Sequence, residues 1–174
     1  TVQAAHDDLP SEGGKIEVNQ STEETGTTLT KPVVVEGQGM DHENGSPPVL
    51  VDTSGGDGIA AESLTLIRDL YIRGSGGSYN LKLGQTGVYQ PAFVTDNVTV
   101  SGSGGVNVLI RGEHINDRLD LTTIGASGHN VHIDTSGSGG YFNSCEITRL
   151  RTTDADGDGL HINAEKFRGN EITG

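Results

Sequence analysis

The sequence predicts an all-β chain: a single-stranded, right-handed parallel β-helix (a solenoid) with a short N-terminal capping helix. Two observations carry this. A glycine motif recurs between short alternating strands, and the composition suits a thin, repeated core. The 174 residues include 27 glycines, no Trp and only 4% aromatics, so no thick aromatic centre can form. Val, Ile and Thr at regular intervals build strands, while so much Gly, Ser and Thr interrupts long helices.

Taken in order, Thr1 to Leu9 places Val2, Ala5 and Leu9 on one face of a short helix. Residues 1–12 are therefore read as cap and lead-in, and 13–174 as coils. GSGG occurs at Gly74–Gly77, Gly102–Gly105 and Gly137–Gly140. Its starts at 74, 102 and 137 are 28 and then 35 residues apart, so the turn is kept while the loops vary. Leu70-Tyr71-Ile72, Val98-Thr99-Val100 and Val131-His132-Ile133 precede the copies. A second apolar stretch follows each, near Asn80-Leu81, Val106-Asn107-Val108 and Tyr141-Phe142-Asn143. Asn or Asp recurs at Asp69, Asn80, Asn97, Asn107, Asn130, Asn143 and Asn170.

A coil winding round one axis leaves this pattern. Strands pair with their counterparts one coil away at ~4.8 Å, and glycine admits positive φ at corners. A recurrent Asn at a corner can hydrogen-bond its own kind one rung along. About seven coils at ~4.8 Å make a rod of ~33 Å. A β-sandwich also uses short strands and glycine turns but explains the repeated turn less well. GSGG is not a linker, being flanked by alternating Val and Ile. Nor is it a phosphate loop, since no Lys-Ser or Lys-Thr follows.

The net charge of −13 argues against nucleic acid as a partner. High acidity with only Lys15, Lys31, Lys82 and Lys166 matches adaptation to high salt. Self-repulsion opposes compactness at low salt, and molar salt screens it. The single Cys145 excludes an internal disulfide and is expected inward and inert. No signal peptide and no apolar run near the ~20 residues of a membrane span is read, so membrane insertion is not expected. Both ends read as cut from a longer polypeptide.

The amino end carries a family resemblance. The helix is followed by Gly13-Gly14-Lys15-Ile16-Glu17-Val18 and then Lys31-Pro32-Val33-Val34-Val35-Glu36-Gly37-Gln38-Gly39. This order resembles the opening coils of the pectin/pectate-lyase-like β-helix superfamily. The resemblance implies a scaffold whose helix covers the open end. It does not imply one activity, since lyases, hydrolases, epimerases and phage tailspikes share the fold. The Arg-rich segment of pectate lyases has no counterpart here.

Arg111 to Asp120 is the densest polar stretch. Glu113 and Asp120 are candidates for an acid–base pair, with His114 or Arg118 assisting. The reading preferred for these candidates, Glu113, His114, Asp117 and Asp120, is a solvated loop in which Asp117 pairs with Arg111 or Arg118. Asp154-Ala155-Asp156-Gly157-Asp158-Gly159 with Glu165 satisfies a calcium-loop pattern. Asp154, Asp156, Asp158 and Glu165 are the candidate Ca2+ ligands, although Leu160-His161-Ile162 reads as a strand that carries Glu165 away. The six histidines show no HxH or HExxH spacing, so no zinc site is expected. His132 and His161 are expected outward on their strands.

Two functions follow as expectations. One is a structural and adhesive module of a spike, turret or tail fibre, on the surface of a virus of halophilic archaea. It would be extracellular and trimeric, and would contact neighbouring virion proteins or host surface glycans. The other is a secreted polysaccharide-degrading lyase or glycoside hydrolase.

Overall fold

The computed structural model describes residues 1–38, 50–102, 104–136 and 140–174. Ser103 of the second GSGG copy, all but Gly140 of the third, and Gly39 lie outside the described residues.

The chain is a parallel β-helix behind one short helix, α1 (Val2–Asp7). The first coil holds β1 (Gly14–Val18), β2 (Thr22–Glu23) and β3 (Thr28–Leu29), and the second β4 (Val33–Gly37), β5 (Leu50–Asp52) and β6 (Ile59–Ala61). Then come β7 (Thr65–Arg73), β8 (Tyr79–Leu83) and β9 (Tyr89–Pro91), followed by β10 (Val94–Ser101), β11 (Val106–Arg111) and β12 (Glu113–Ile115). β13 (Arg118–Ile124), β14 (Val131–Asp134) and β15 (Tyr141–Asn143) form the next coil. β16 (Glu146–Thr153), β17 (Leu160–Asn163), β18 (Lys166–Arg168) and β19 (Glu171–Ile172) end the stack.

Three parallel sheets form its faces. Sheet A runs β1-β4-β7-β10-β13-β16-β19, sheet B runs β17-β14-β11-β8-β6-β3, and sheet C runs β18-β15-β12-β9. Among the described residues, seven strands stack along the path of sheet A and four form sheet C, none of them from the first two coils. The solenoid makes about 5 turns, fewer than the seven the repeat suggested.

Alternation sends one side of every strand inward. Ile16, Val35, Ile67, Thr95, Leu119, Ile147 and Ile172 form one row along sheet A. Ile59, Leu81, Val108, Val131 and Leu160 form another along sheet B. Most of these side chains are fully buried, giving a long, narrow core. Burial of each large aliphatic contributes roughly 1.5–3 kcal/mol.

Next to the sheet B row runs a row of polar residues. Register places Gly58, Asn80, Asn107, Asn130 and Gly159 above one another, Asn80 and Asn107 as the second residue of their strands and the other three just before theirs. The three asparagines are wholly buried. Asn80 Nδ2 donates to Asn107 Oδ1 at 3.1 Å, and Asn107 Nδ2 to Asn130 Oδ1 at 2.7 Å. Each also donates to a carbonyl ending the sheet A strand one coil on: Ser101, Ile124 and Thr153 at 2.7, 3.0 and 2.9 Å. Thr53 Oγ1 closes the first rung, donating to Asn80 Oδ1 at 2.9 Å. Glycine is required at Gly58, where a Cβ would stand 1.9 Å from the Asn80 carbonyl oxygen.

The corner from sheet C into sheet A is left-handed in four successive coils. Ala92, Asn116, Ser144 and Gly169 share that place, at φ of 42°, 62°, 53° and 61°. Three of the four are not glycine, a strain of about 1 kcal/mol or more each that the stacked coils hold in place.

Helix α1 covers the first coil, as the sequence suggests, burying Val2 and His6 with Ala5 and Leu9 against the core. His6 Nε2 accepts from Thr30 N and Lys31 N, both at 3.1 Å. Lys31 Nζ donates to the carbonyls of His6, Asp7 and Leu9, satisfying the end of the helix.

Asn107→Ala removes a donor and an acceptor from the buried row. Urea unfolding should show a loss of about 3 kcal/mol, whereas the outward Thr99→Ala should change stability by no more than ~0.5 kcal/mol.

Candidate functional site

The stretch Arg111 to Asp120 is not a solvated loop. It ends β11, turns at Gly112, forms β12, turns again at Asn116 and enters β13. Alternation in β12 points His114 into the core, and the corner points Asp117 in after it; both are wholly buried. His114 Nδ1 lies 2.6 Å from Asp117 Oδ2, and Nε2 lies 2.8 Å from the Arg111 carbonyl. Both ring nitrogens face acceptors, so a proton is held between ring and carboxylate. Asp117 Oδ1 also accepts from Phe93 N at 2.9 Å. Phe93 and Phe142 flank the imidazole, with centroids 5.4 and 6.0 Å away. Asp117 thus pairs with His114, not with an arginine. Arg111 instead meets Asp134 at 3.3 Å, and Arg118 meets Glu146 at 3.9 Å. This pair clasps a corner of the core.

The other two candidates part company. Glu113 is outward on sheet C and Asp120 outward on sheet A, so they do not share a cleft. Asp120 belongs to a charged row along sheet A. Its carboxylate bonds Arg149, which also lies 3.6 Å from Asp96. Farther along, Glu36 lies 2.6 Å from Lys15 and 2.7 Å from Arg68. Lys15 and then Arg68 hold the Glu36 carboxyl below its usual range.

The predicted calcium segment follows β16, whose chain turns at Asp154 with φ of 56°. Asp154, Asp156 and Glu165 are exposed. Among the described residues, one group of at least three metal-type side chains has ligand atoms within 4.8 Å of one another: His129, Asp158 and His161. Of the four candidate calcium ligands, only Asp158 belongs to it.

This group arises from stacking. His129 and His132 flank the start of β14, as Asp158 and His161 flank that of β17, and register sets His132 over His161. Asp158 Oδ2 accepts from His161 Nδ1 at 2.8 Å and lies 3.5 Å from His129 Nδ1. His129 Nδ1 accepts from the Asp158 N–H at 3.0 Å. The rings of His129 and His161 stack at 4.2 Å, with His132 edge-on to both at 5.3 and 4.9 Å. His132 Nε2 is buried with no hydrogen-bond partner among the described residues. Burial holds the His132 ring below its ordinary value, and the His161 hydrogen bond does the same for the Asp158 carboxyl. His132 and His161 are outward on their strands, as expected. Their convergence with His129 and Asp158 was missed. The available signal was His129-Asn130-Val131-His132 matched by Asp158-Gly159-Leu160-His161, 29 residues later (158 less 129).

Cys145 is buried and inward, as expected. Burial, and next the Asp117 charge, push its thiol up to about 12. No protein-family model, curated protein or solved structure matches the chain.

At pH 8 the folded protein should leave Ellman's reagent unreacted, and denaturant should release one thiol. Because the folded value lies above the ordinary 9, this group favours the fold below pH 9 and loses that contribution between pH 9 and about 12.

Proposed function

We propose that the chain is a structural and adhesive β-helix module of a virion surface appendage, extracellular, trimeric and suited to high salt. The observation that supports this reading best is the unbroken stack itself. Inward rows of like side chains and the buried asparagines hold the coils in a long, narrow stack. Such rods act as spacers and present long parallel faces to copies of themselves or to surface glycans. The resemblance of the amino-end sequence to the pectin/pectate-lyase-like superfamily and the acidic composition are consistent with a phage-tailspike-like role in brine. A virus of halophilic archaea is the source this reading implies.

A second reading, a secreted polysaccharide-degrading enzyme, has one observation in its favour. Asp96 and Asp120 share the Arg149 guanidinium on the open face of sheet A, an arrangement of carboxylates and cation that a lyase or hydrolase could use.

Purified chain in about 2 M KCl, where surface charge is screened within ~3 Å, separates the readings. The module predicts a trimer by sedimentation and no release of sugars from uronate polymers or host cell-surface glycans. Sugar release abolished by Asp120→Asn or Asp96→Asn would establish the enzyme and sink the module.

A further inference from the structure

We propose that His129, Asp158 and His161 form a binding site for a divalent transition-metal ion, with zinc as the fitting member. The site bridges two consecutive coils on the outer side of sheet B. One carboxylate and two imidazoles suit a borderline cation better than Ca2+, whose ligands are oxygens.

Geometry carries the argument. The three side chains come from two coils, so no local turn makes the cluster; the β14–β17 register does. Their ligand atoms already lie within 4.8 Å of one another, all reachable from solvent. Ligands around one zinc at bond lengths of ~2.0–2.2 Å stand roughly 3.3–3.5 Å apart, so small side-chain rotations close the site. At present a proton plays the bridging part, between His161 Nδ1 and Asp158 Oδ2. The ion replaces that hydrogen bond: the neutral His161 ring carries its proton on Nε2, leaving Nδ1 free for the metal, which gains the carboxylate oxygen and both rings. The Asp158 N–H released by His129 turns to water. His132 adds an independent sign, because its Nε2 is buried beside the cluster without a partner among the described residues. A buried ring nitrogen in that position suits a water held on the metal's fourth position.

The occupied site would clamp two consecutive coils together. β17 is the last strand of sheet B, and its Ile162 is still exposed. An ion held by both coils would tie that strand to β14 in the folded state only.

Chelator-treated protein titrated with ZnCl2 in a calorimeter tests this. The expected result is one Zn2+ per chain, a raised Tm, and no displacement by a tenfold excess of Ca2+. His161→Ala and Asp158→Asn, checked by circular dichroism for an intact fold, should each weaken zinc binding at least about tenfold. Asp154→Asn/Asp156→Asn should bind zinc as the parent does. Cobalt offers a readout without substitution: Co2+ added to the parent should show the intense visible bands of a low-coordinate nitrogen–oxygen site. Zinc uptake by the parent no greater than by His129→Ala/His161→Ala, loss of zinc in Asp154→Asn/Asp156→Asn, displacement by Ca2+, or a Co2+ spectrum like that of the aqueous ion would each overturn the proposal.

Discussion

The buried hydrogen bonds from Asn80 to Asn107 to Asn130 are the constraint on which the rest of the stack depends. A carboxamide away from water is costly unless its donors and acceptor are used. Here the Nδ2 groups of Asn80 and Asn107 each bond two acceptors on the following coil, and that of Asn130 bonds the Thr153 carbonyl there. That requirement holds only when consecutive coils sit one strand spacing apart in one register. Apolar rows tolerate sliding, since Val, Ile and Leu substitute for one another at small cost. A slip of one residue would turn each strand's inward side chains outward and strand the amides. The asparagines therefore specify the alignment that the aliphatic rows then stabilise.

That alignment has consequences at the surface. It carries Glu36 to Lys15 and Arg68 on sheet A, and on sheet B it lays an Asp-x-x-His segment over a His-x-x-His segment. In a solenoid, a residue's neighbours include those one coil away, here 27 positions (107 less 80) and 23 positions (130 less 107) along the chain at the asparagine row. Chemistry that looks scattered in the sequence is gathered into files along the rod.

This explains what could be read in advance. The recurrence of Asn was visible, and with it the bonding of Asn to Asn one coil apart, but the seven Asn and Asp positions looked alike in sequence and only register separates Asn80, Asn107 and Asn130 as one row. The capping helix was visible from its apolar spacing, and Cys145 from the alternation around it. The left-handed corner was not visible, because Ala92, Asn116, Ser144 and Gly169 share a conformation but no chemistry. His114 and Asp117 read as a polar loop, because a strand of three residues between two corners is too short to show alternation. The histidine cluster escaped a search for metal spacings within one segment, since its members meet only across a coil. The charged composition describes the surface and says nothing of the ladder beneath it.

A double-mutant cycle on Asn107 and Asn130 tests the central claim most directly. If one hydrogen-bonded row sets the register, the losses of stability from Asn107→Ala and Asn130→Ala should be strongly non-additive, with a coupling of about 1 kcal/mol or more by urea unfolding. Losses that simply add, to within ~0.3 kcal/mol, would mean that each amide acts alone and that the apolar rows set the register without them.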